Sequence, residues 1–300
     1  MPKRTYVKTV SSDSEPLFEN EHERLKEAVD ADTNVAVVSE PYAGSEVLLD
    51  ELASRAEDVE RVSYTSVTDA EPRIPEADLC IVEGCRYLYT RRLGGFEPLE
   101  SFLEAVAVAD ATVVSSWNLY AWSYLVHATD VDGIFPVELK LQNLGTQSVA
   151  DVLSEEYDVT EFESDLEELR EEGEGIVDYL PDSLRFILEE RSDNVFEKVS
   201  ALSGGNLGVA RAVFENRVWE KENEETELSY EDAFALLVVV TKEDVKRDVI
   251  DEVVSPRSLE RSLRKLSDAG FIEEDGARVS LRAEKLTDAV QHLGRRRLVW

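Results

Sequence analysis

The stretch NVAVVSEPYAGSEVLLDELASRA, Asn34 to Ala56, decides the fold. Its first six residues, Asn34 to Ser39, are almost continuously apolar, which predicts a strand buried on both faces. Pro41 and Gly44 then interrupt any regular structure, and SEVLLDELASRA returns to the spacing of an amphipathic helix. Upstream, LFENEHERLKEAVD (Leu17 to Asp30) places Leu25, Ala28 and Val29 on one helical face. Downstream, VERVSYTSV and ADLCIVEG predict strands, EPLESFLEAVAVA a helix, and ATVVSSW (Ala111 to Trp117) a further strand. Apolar strands alternating with helices indicate an α/β fold, a parallel sheet with flanking helices.

The alternation stops near residue 150. From Asp151 to Asp178 there are thirteen acidic residues and one basic residue, Arg170, a composition that fits a linker or a solvated helix. The expected division is therefore 1–150 for the sheet domain, 151–227 for an acidic linker with a helical domain, and 228–300 for a third unit. The helical part is carried by PDSLRFILEERSD and NVFEKVSALSGGNLGVARAVFENRV. The third unit offers YEDAFALLVVVT, EDVKRDVIDEV, then SPRSLERSLRKLSDAGF and IEEDGARVSL. A helix ending at Gly270, followed by two short strands about Asp275-Gly276, is the pattern of a winged helix-turn-helix. There is no internal repeat.

Charge is the extreme feature of the composition. Sixty-five Asp plus Glu against 32 Lys plus Arg give a net charge of −33, while a hydrophobic share of 43% excludes a disordered chain. So much like charge would repel itself at ordinary salt. At molar salt the Debye length is ~3 Å and the repulsion is screened. Salt adaptation is thus the simplest cause, and the acidic surface then says little about partners. The longest apolar run, Ala233 to Val240, is a core segment and far short of a membrane span. No apolar run follows Lys3, Arg4 and Lys8, so no secretory signal is expected and the compartment expected is the cytoplasm. Cys80 and Cys85 cannot form a disulfide framework or a zinc ribbon, and His22, His127 and His292 are too scattered for a metal site.

Chemistry, if any, belongs to the turn after the first strand. A phosphate-binding loop reads G-x-x-x-x-G-K-[ST], with backbone N–H groups and a helix N-terminus cradling phosphates, Lys neutralising charge, and a hydroxyl on Mg²⁺. Here the octet is SEPYAGSE: Ser39 replaces the first Gly, Gly44 is retained, Ser45 replaces Lys, and Glu46 replaces Ser/Thr. Glu46 suits the helix dipole but repels a triphosphate.

With these residues the chain resembles AAA+ or STAND-type P-loop ATPases, in layout the archaeal replication-initiator and signalling branches. The resemblance runs from about Leu17 to Trp300, and no single motif is intact. It implies a P-loop NTPase-like sheet followed by a helical lid and a winged-helix domain. It places Glu83 at the Mg²⁺-binding Walker-B acid, Gly84 where a catalytic Glu should be, and Asn118 at the sensor-1 polar position. Arg211 in SGGNLGVARAVF resembles the lid arginine that senses the γ-phosphate, and its Gly204-Gly205-Asn206 turn the start of the lid helix. The implied nucleotide site is therefore Ser39, Gly44, Ser45, Glu83, Asn118 and Arg211, in degenerate form.

The departures predict no catalytic residue, no metal and no cofactor, with ATP/Mg binding without turnover as the alternative. A scaffold or regulator acting through binding is the leading expectation. One rival is a DNA-binding regulator of transcription or replication. The other is an ATPase completed in an oligomer, with Arg91 or Arg92 acting on a neighbour, although salt bridges on an acidic surface explain these arginines more simply. Trp117, Tyr120, Trp122 and Tyr124 could stack a base, but the i, i+3, i+7 spacing of Trp117, Tyr120 and Tyr124 favours packing.

From Val253 to Trp300 ten basic residues face seven acidic ones, a local excess of positive charge. On the helix after Pro256, Leu259, Leu263 and Leu266 form an inner face, with Arg257, Arg261, Arg264 and Lys265 on another. Those four could read DNA in a major groove or bind a protein partner, since winged helices serve both ends. The terminal GRRRLVW adds basic charge and an apolar end that packs back or meets a partner. Partner identity and oligomeric state stay open.

Overall fold

A computed structural model describes residues 17–67, 72–157, 192–216 and 227–299. They fall into two compact units, a larger one drawn from Pro16–Gln142 with Glu225–Trp300 and a smaller one within Asn143–Glu224.

In the larger unit, helix α1 (Glu19–Asp30) leads to strand β1 (Val35–Ser39), a loop, and helix α2 (Ser45–Arg55). Strands β2 (Val59–Ser63) and β3 (Leu79–Glu83), helix α3 (Glu97–Val108), β4 (Thr112–Asn118), α4 (Leu119–Ala128), the short α5 (Val131–Ile134) and β5 (Val137–Lys140) follow. The five strands form one parallel sheet in the order β2-β3-β4-β1-β5. This is an α/β, P-loop NTPase-like sheet with flanking helices, its strand–loop–helix turn opening from the interior strand β1. Val35 to Val38 are buried, as the apolar run required.

The aromatic cluster packs inward. Trp117 and Trp122 are buried, with ring centroids 5.2 Å apart, and both pack against Phe135. Trp117 does not share a helical stripe with Tyr120 and Tyr124. Trp117 still lies on β4, because Asn118 caps α4 by accepting from the Tyr120 and Ala121 N–H groups at 3.0 and 3.2 Å.

The C-terminal part of the same unit begins with α9 (Tyr230–Lys242). Its residues Ala235 to Lys242 are buried all round, as befits a helix inside a core. The smaller unit holds α6 (Thr146–Glu156), α7 (Ser192–Ser203) and α8 (Leu207–Glu215). After α9 come β6 (Asp244–Lys246), α10 (Arg247–Asp251), α11 (Pro256–Asp268), β7 (Ile272–Asp275), β8 (Arg278–Leu281) and α12 (Leu286–Arg295). The three strands make a second, antiparallel sheet ordered β6-β8-β7, with Gly276 at positive φ in the hairpin turn. Leu259, Leu263 and Leu266 are buried as their spacing predicted, and Val299 is buried near the end of the chain.

In the smaller unit Gly205 stands at φ +84, where a Cβ would meet the Leu144 carbonyl oxygen at 2.1 Å. Asn206 then caps α8, its Oδ1 accepting from the Val209 N–H at 3.2 Å. The acidic run beyond Tyr157 and nearly all of PDSLRFILEERSD lie outside the described residues.

The candidate nucleotide cleft

The parallel register sets Ser39 beside Asn118 at the ends of β1 and β4. Here the loop from Glu40 to Gly44 joins β1 to α2, with Tyr42 and Gly44 both at positive φ. A cleft of about 540 Å³ opens at this edge, lined by Ser39, Ser45, Glu83 and Asn118 among others. Four of the six residues assigned to a nucleotide site are thus brought together around it. Gly44 is the N-cap of α2, directly before Ser45. Arg211 belongs to the smaller unit, where Glu156 accepts from its Nε at 2.8 Å and from a second guanidinium nitrogen.

The partners of these residues come from within the chain. Glu83 pairs with Arg61, which also holds Asp50 at 2.5 Å. The Asn118 side chain is used at both ends: its Oδ1 caps α4, and its Nδ2 donates to the Val240 carbonyl at 2.9 Å and to Glu243 Oε1 at 3.2 Å. Gly84 sits at φ +71, where a Cβ would lie 2.1 Å from the Tyr64 carbonyl oxygen. The backbone there is built for glycine.

The C-terminal elements form the far wall. Sequence reading missed this, and with it Arg86, Tyr87, Lys242, Glu243 and Asp244. Arg86 Nε donates to the Lys242 carbonyl at 3.1 Å, and its guanidinium lies 3.4 Å from Glu243. Tyr87 Oη donates to the Asp244 carbonyl at 2.7 Å, and Tyr42 Oη to that of Leu281 at 2.8 Å. Lys242 is buried at the end of α9, and among the described residues no carboxylate pairs with it; its Nζ donates to the Tyr89 carbonyl at 2.6 Å and to that of Arg86, and lies 3.7 Å from the Tyr89 ring centre. Burial, with Arg91 and Arg86 adding, holds its pKa well below the usual lysine range. Burial pushes the Glu243 carboxyl up, Arg86 and Asn118 oppose that, and Glu46 reinforces it. The signal available in the sequence was TKED, three charged residues abutting an apolar helix.

Elsewhere the assigned cations separate by environment. On α11, Arg261 pairs with Glu231 at 3.1 Å, and Lys265 with Asp232 at 3.1 Å. Arg257 and Arg264 are exposed. Arg91 stacks 3.9 Å from the Tyr124 ring centre and Arg92 lies 3.3 Å from Glu252, so each has a partner in its own chain. Cys80 and Cys85 are buried free thiols, and burial pushes Cys80 up to about 11, away from reactivity. His22 contacts Arg55 at 2.8 Å. Among the described residues no group of His, Cys, Asp and Glu is placed to hold a metal, and no helix is long and apolar enough to cross a membrane.

No family model and no curated protein matches this sequence. Among solved structures, the chain is similar to a RuvB mutant from Thermotoga maritima, with 14% identity over 93% of this chain and 95% of that one and a TM-score of 0.39. It is similar to Cdc6p from Pyrobaculum aerophilum at 11% identity, 97% of both chains and a TM-score of 0.43. It is also similar to the ORC1 protein of Aeropyrum pernix, solved in complex with DNA, at 15% identity, 96% of both chains and a TM-score of 0.41. Likenesses at these scores assign neither a family nor an activity.

Proposed function

We propose that this protein is a non-catalytic, AAA+-like regulatory scaffold that acts by binding, with a degenerate nucleotide site. The observation that carries the reading is Gly84. Where the resemblance calls for a catalytic carboxylate, the chain has a left-handed glycine whose Cβ position is taken by the Tyr64 carbonyl. The remaining groups do not fit a magnesium triphosphate either. Ser45 brings no charge, Glu46 brings a negative one, and the cleft wall adds Glu40, Glu83, Glu243 and Asp244 against Arg86 and Arg278. Asn118, the polar group that would face a γ-phosphate, is committed to Val240, Glu243 and the cap of α4.

Binding then falls to the surface, and the C-terminal helices and hairpin are read as a winged helix. A protein partner is the leading assignment. DNA is the second, and two exposed arginines of α11 favour it: Arg257 and Arg264 remain available, whereas Arg261 and Lys265 are held by Glu231 and Asp232. Phosphate attraction is weak in high salt, so base contacts must supply affinity. Selection from a random DNA pool at molar KCl tests this. On the DNA reading a sequence is enriched, and Arg257→Ala/Arg264→Ala loses roughly thirtyfold or more in affinity, two bidentate contacts at ~1–3 kcal/mol each. No enrichment, or equal binding by the double variant, assigns the surface to a protein partner. The cytoplasm and salt adaptation complete the proposal.

A further inference from the structure

Glu243 occupies an unusual place for a surface-type residue. It follows the last turn of α9 at φ +65 and ψ −49, a backbone setting unfavourable to any residue with a side chain and held only by its surroundings. The side chain is 16% exposed and points its two carboxylate oxygens at two separate donors. Oε1 receives the Asn118 amide at 3.2 Å, and Oε2 lies 3.4 Å from the Arg86 guanidinium. One donor ends β4 and the other follows β3, so both belong to the parallel-sheet edge, whereas the acceptor belongs to the C-terminal elements. An amide and a guanidinium converging on one carboxylate are the donor set for an oxyanion.

We propose that Asn118 and Arg86 form an oxyanion subsite that the chain fills with its own Glu243 carboxylate. The filled subsite latches the C-terminal elements across the cleft. The contacts around it extend the same joint: Arg86 Nε to the Lys242 carbonyl, Lys242 Nζ to the Tyr89 carbonyl, and Leu281 N–H to the Glu243 carbonyl at 2.8 Å. The ligand class is a small carboxylate or another oxyanion of similar size, which enters only where Glu243 leaves. This rests on the reading of the cleft as one not worked by hydrolysis, because Asn118, which the resemblance puts at the sensor-1 position, is one of the two donors.

The test uses the full chain with Glu243→Ala and Glu243→Gly, at neutral pH and constant ionic strength. Amide exchange is followed over residues 236–247 and 85–90. Both variants are expected to exchange about tenfold faster there, the loss of one charge-assisted hydrogen bond. Potassium acetate replacing KCl is expected to slow exchange again in Glu243→Ala, saturably, and to do nothing of the kind in the native chain or in Asn118→Ala/Glu243→Ala. A residue that merely turned the chain would gain protection in Glu243→Gly, since glycine relieves the positive φ; that result overturns the latch. So does acetate acting equally on the native chain, or still acting without Asn118. Should both variants fail to fold, Glu243→Gln decides. It keeps an acceptor for Asn118 and loses the charge for Arg86, so faster exchange confined to residues 85–90 and 236–247 supports the latch and unchanged exchange overturns it. Turnover of ATP by the native chain would defeat the non-hydrolytic reading by a different readout.

Discussion

Asp232→Ala is expected to destabilise the larger unit by about 3 kcal/mol, or roughly 6–12 °C in melting temperature. Asp232 is 1% exposed and serves three partners at once. It completes the capping box of α9, accepting from the Ser229 N–H at 2.8 Å while the Ser229 hydroxyl accepts from its own N–H at 3.2 Å. Loss of its half of the box, the bond from the Ser229 N–H, costs about 1 kcal/mol. Its second oxygen accepts from the Ser262 hydroxyl at 2.7 Å, a buried bond that joins α9 to α11. Leaving that hydroxyl unpaired beside a cavity costs about 1–3 kcal/mol more. Lys265, whose side chain is 39% exposed, adds little to the sum. Burial alone would raise the acid, but hydrogen bonds from Ser262, Ser229 and Lys265 outweigh it and hold it well below the usual carboxylate range. A depressed folded-state pKa stabilises above the unfolded value of ~3.9 and loses that contribution as pH falls below it. The gap between native chain and variant should therefore be full at neutral pH and narrow in acid. Asp232→Asn, which keeps an acceptor, should fall between. Equal melting temperatures for native chain and Asp232→Ala would contradict the account of this joint.

Dilution of salt should have the largest effect of all. Even if every Lys and Arg paired with one carboxylate, 33 carboxylates would remain, since 65 − 32 = 33. Moving from molar KCl to about 0.15 M lengthens the screening distance from ~3 Å to ~8 Å, so charges that ignored one another begin to repel. The described pairs give little resistance. Several, such as Lys26 with Asp30 at 2.6 Å, are exposed on both sides and add little stability at any salt. Expansion or unfolding is expected on dilution, read by circular dichroism and by the melting temperature. Unchanged values would remove salt adaptation as the cause of the acidity.

What the sequence disclosed follows from where burial leaves a pattern. Strands β1, β3 and β4 were legible because each is almost continuously apolar, and α11 because its three leucines repeat at helical spacing. Strand β5 was not, since only Leu139 of its four residues is buried and a short edge strand carries no run to recognise. Trp117 and Tyr120 looked like one helical face because spacing cannot show that Asn118 ends a strand and caps a helix between them. Ser39 and Ser45 were singled out by the strand–loop–helix order and Glu83 and Asn118 by the resemblance, and all four line one cleft. The wall supplied by Glu243 and Asp244 was not legible, because it depends on contacts between residues more than a hundred positions apart.

We propose that the Asn118 and Arg86 donors of the cleft at the end of β1 are taken by the chain's own Glu243 and that the cleft does not work on nucleotide. Calorimetric titration of Mg-ATP into the purified protein at molar KCl tests it most directly. The account predicts no saturable heat in the micromolar range and no sustained heat of turnover, because Ser45, Glu46 and Gly84 supply neither the charge nor the base. Saturable micromolar binding would contradict it. Sustained turnover, lost in Asn118→Ala, would establish an ATPase in its place.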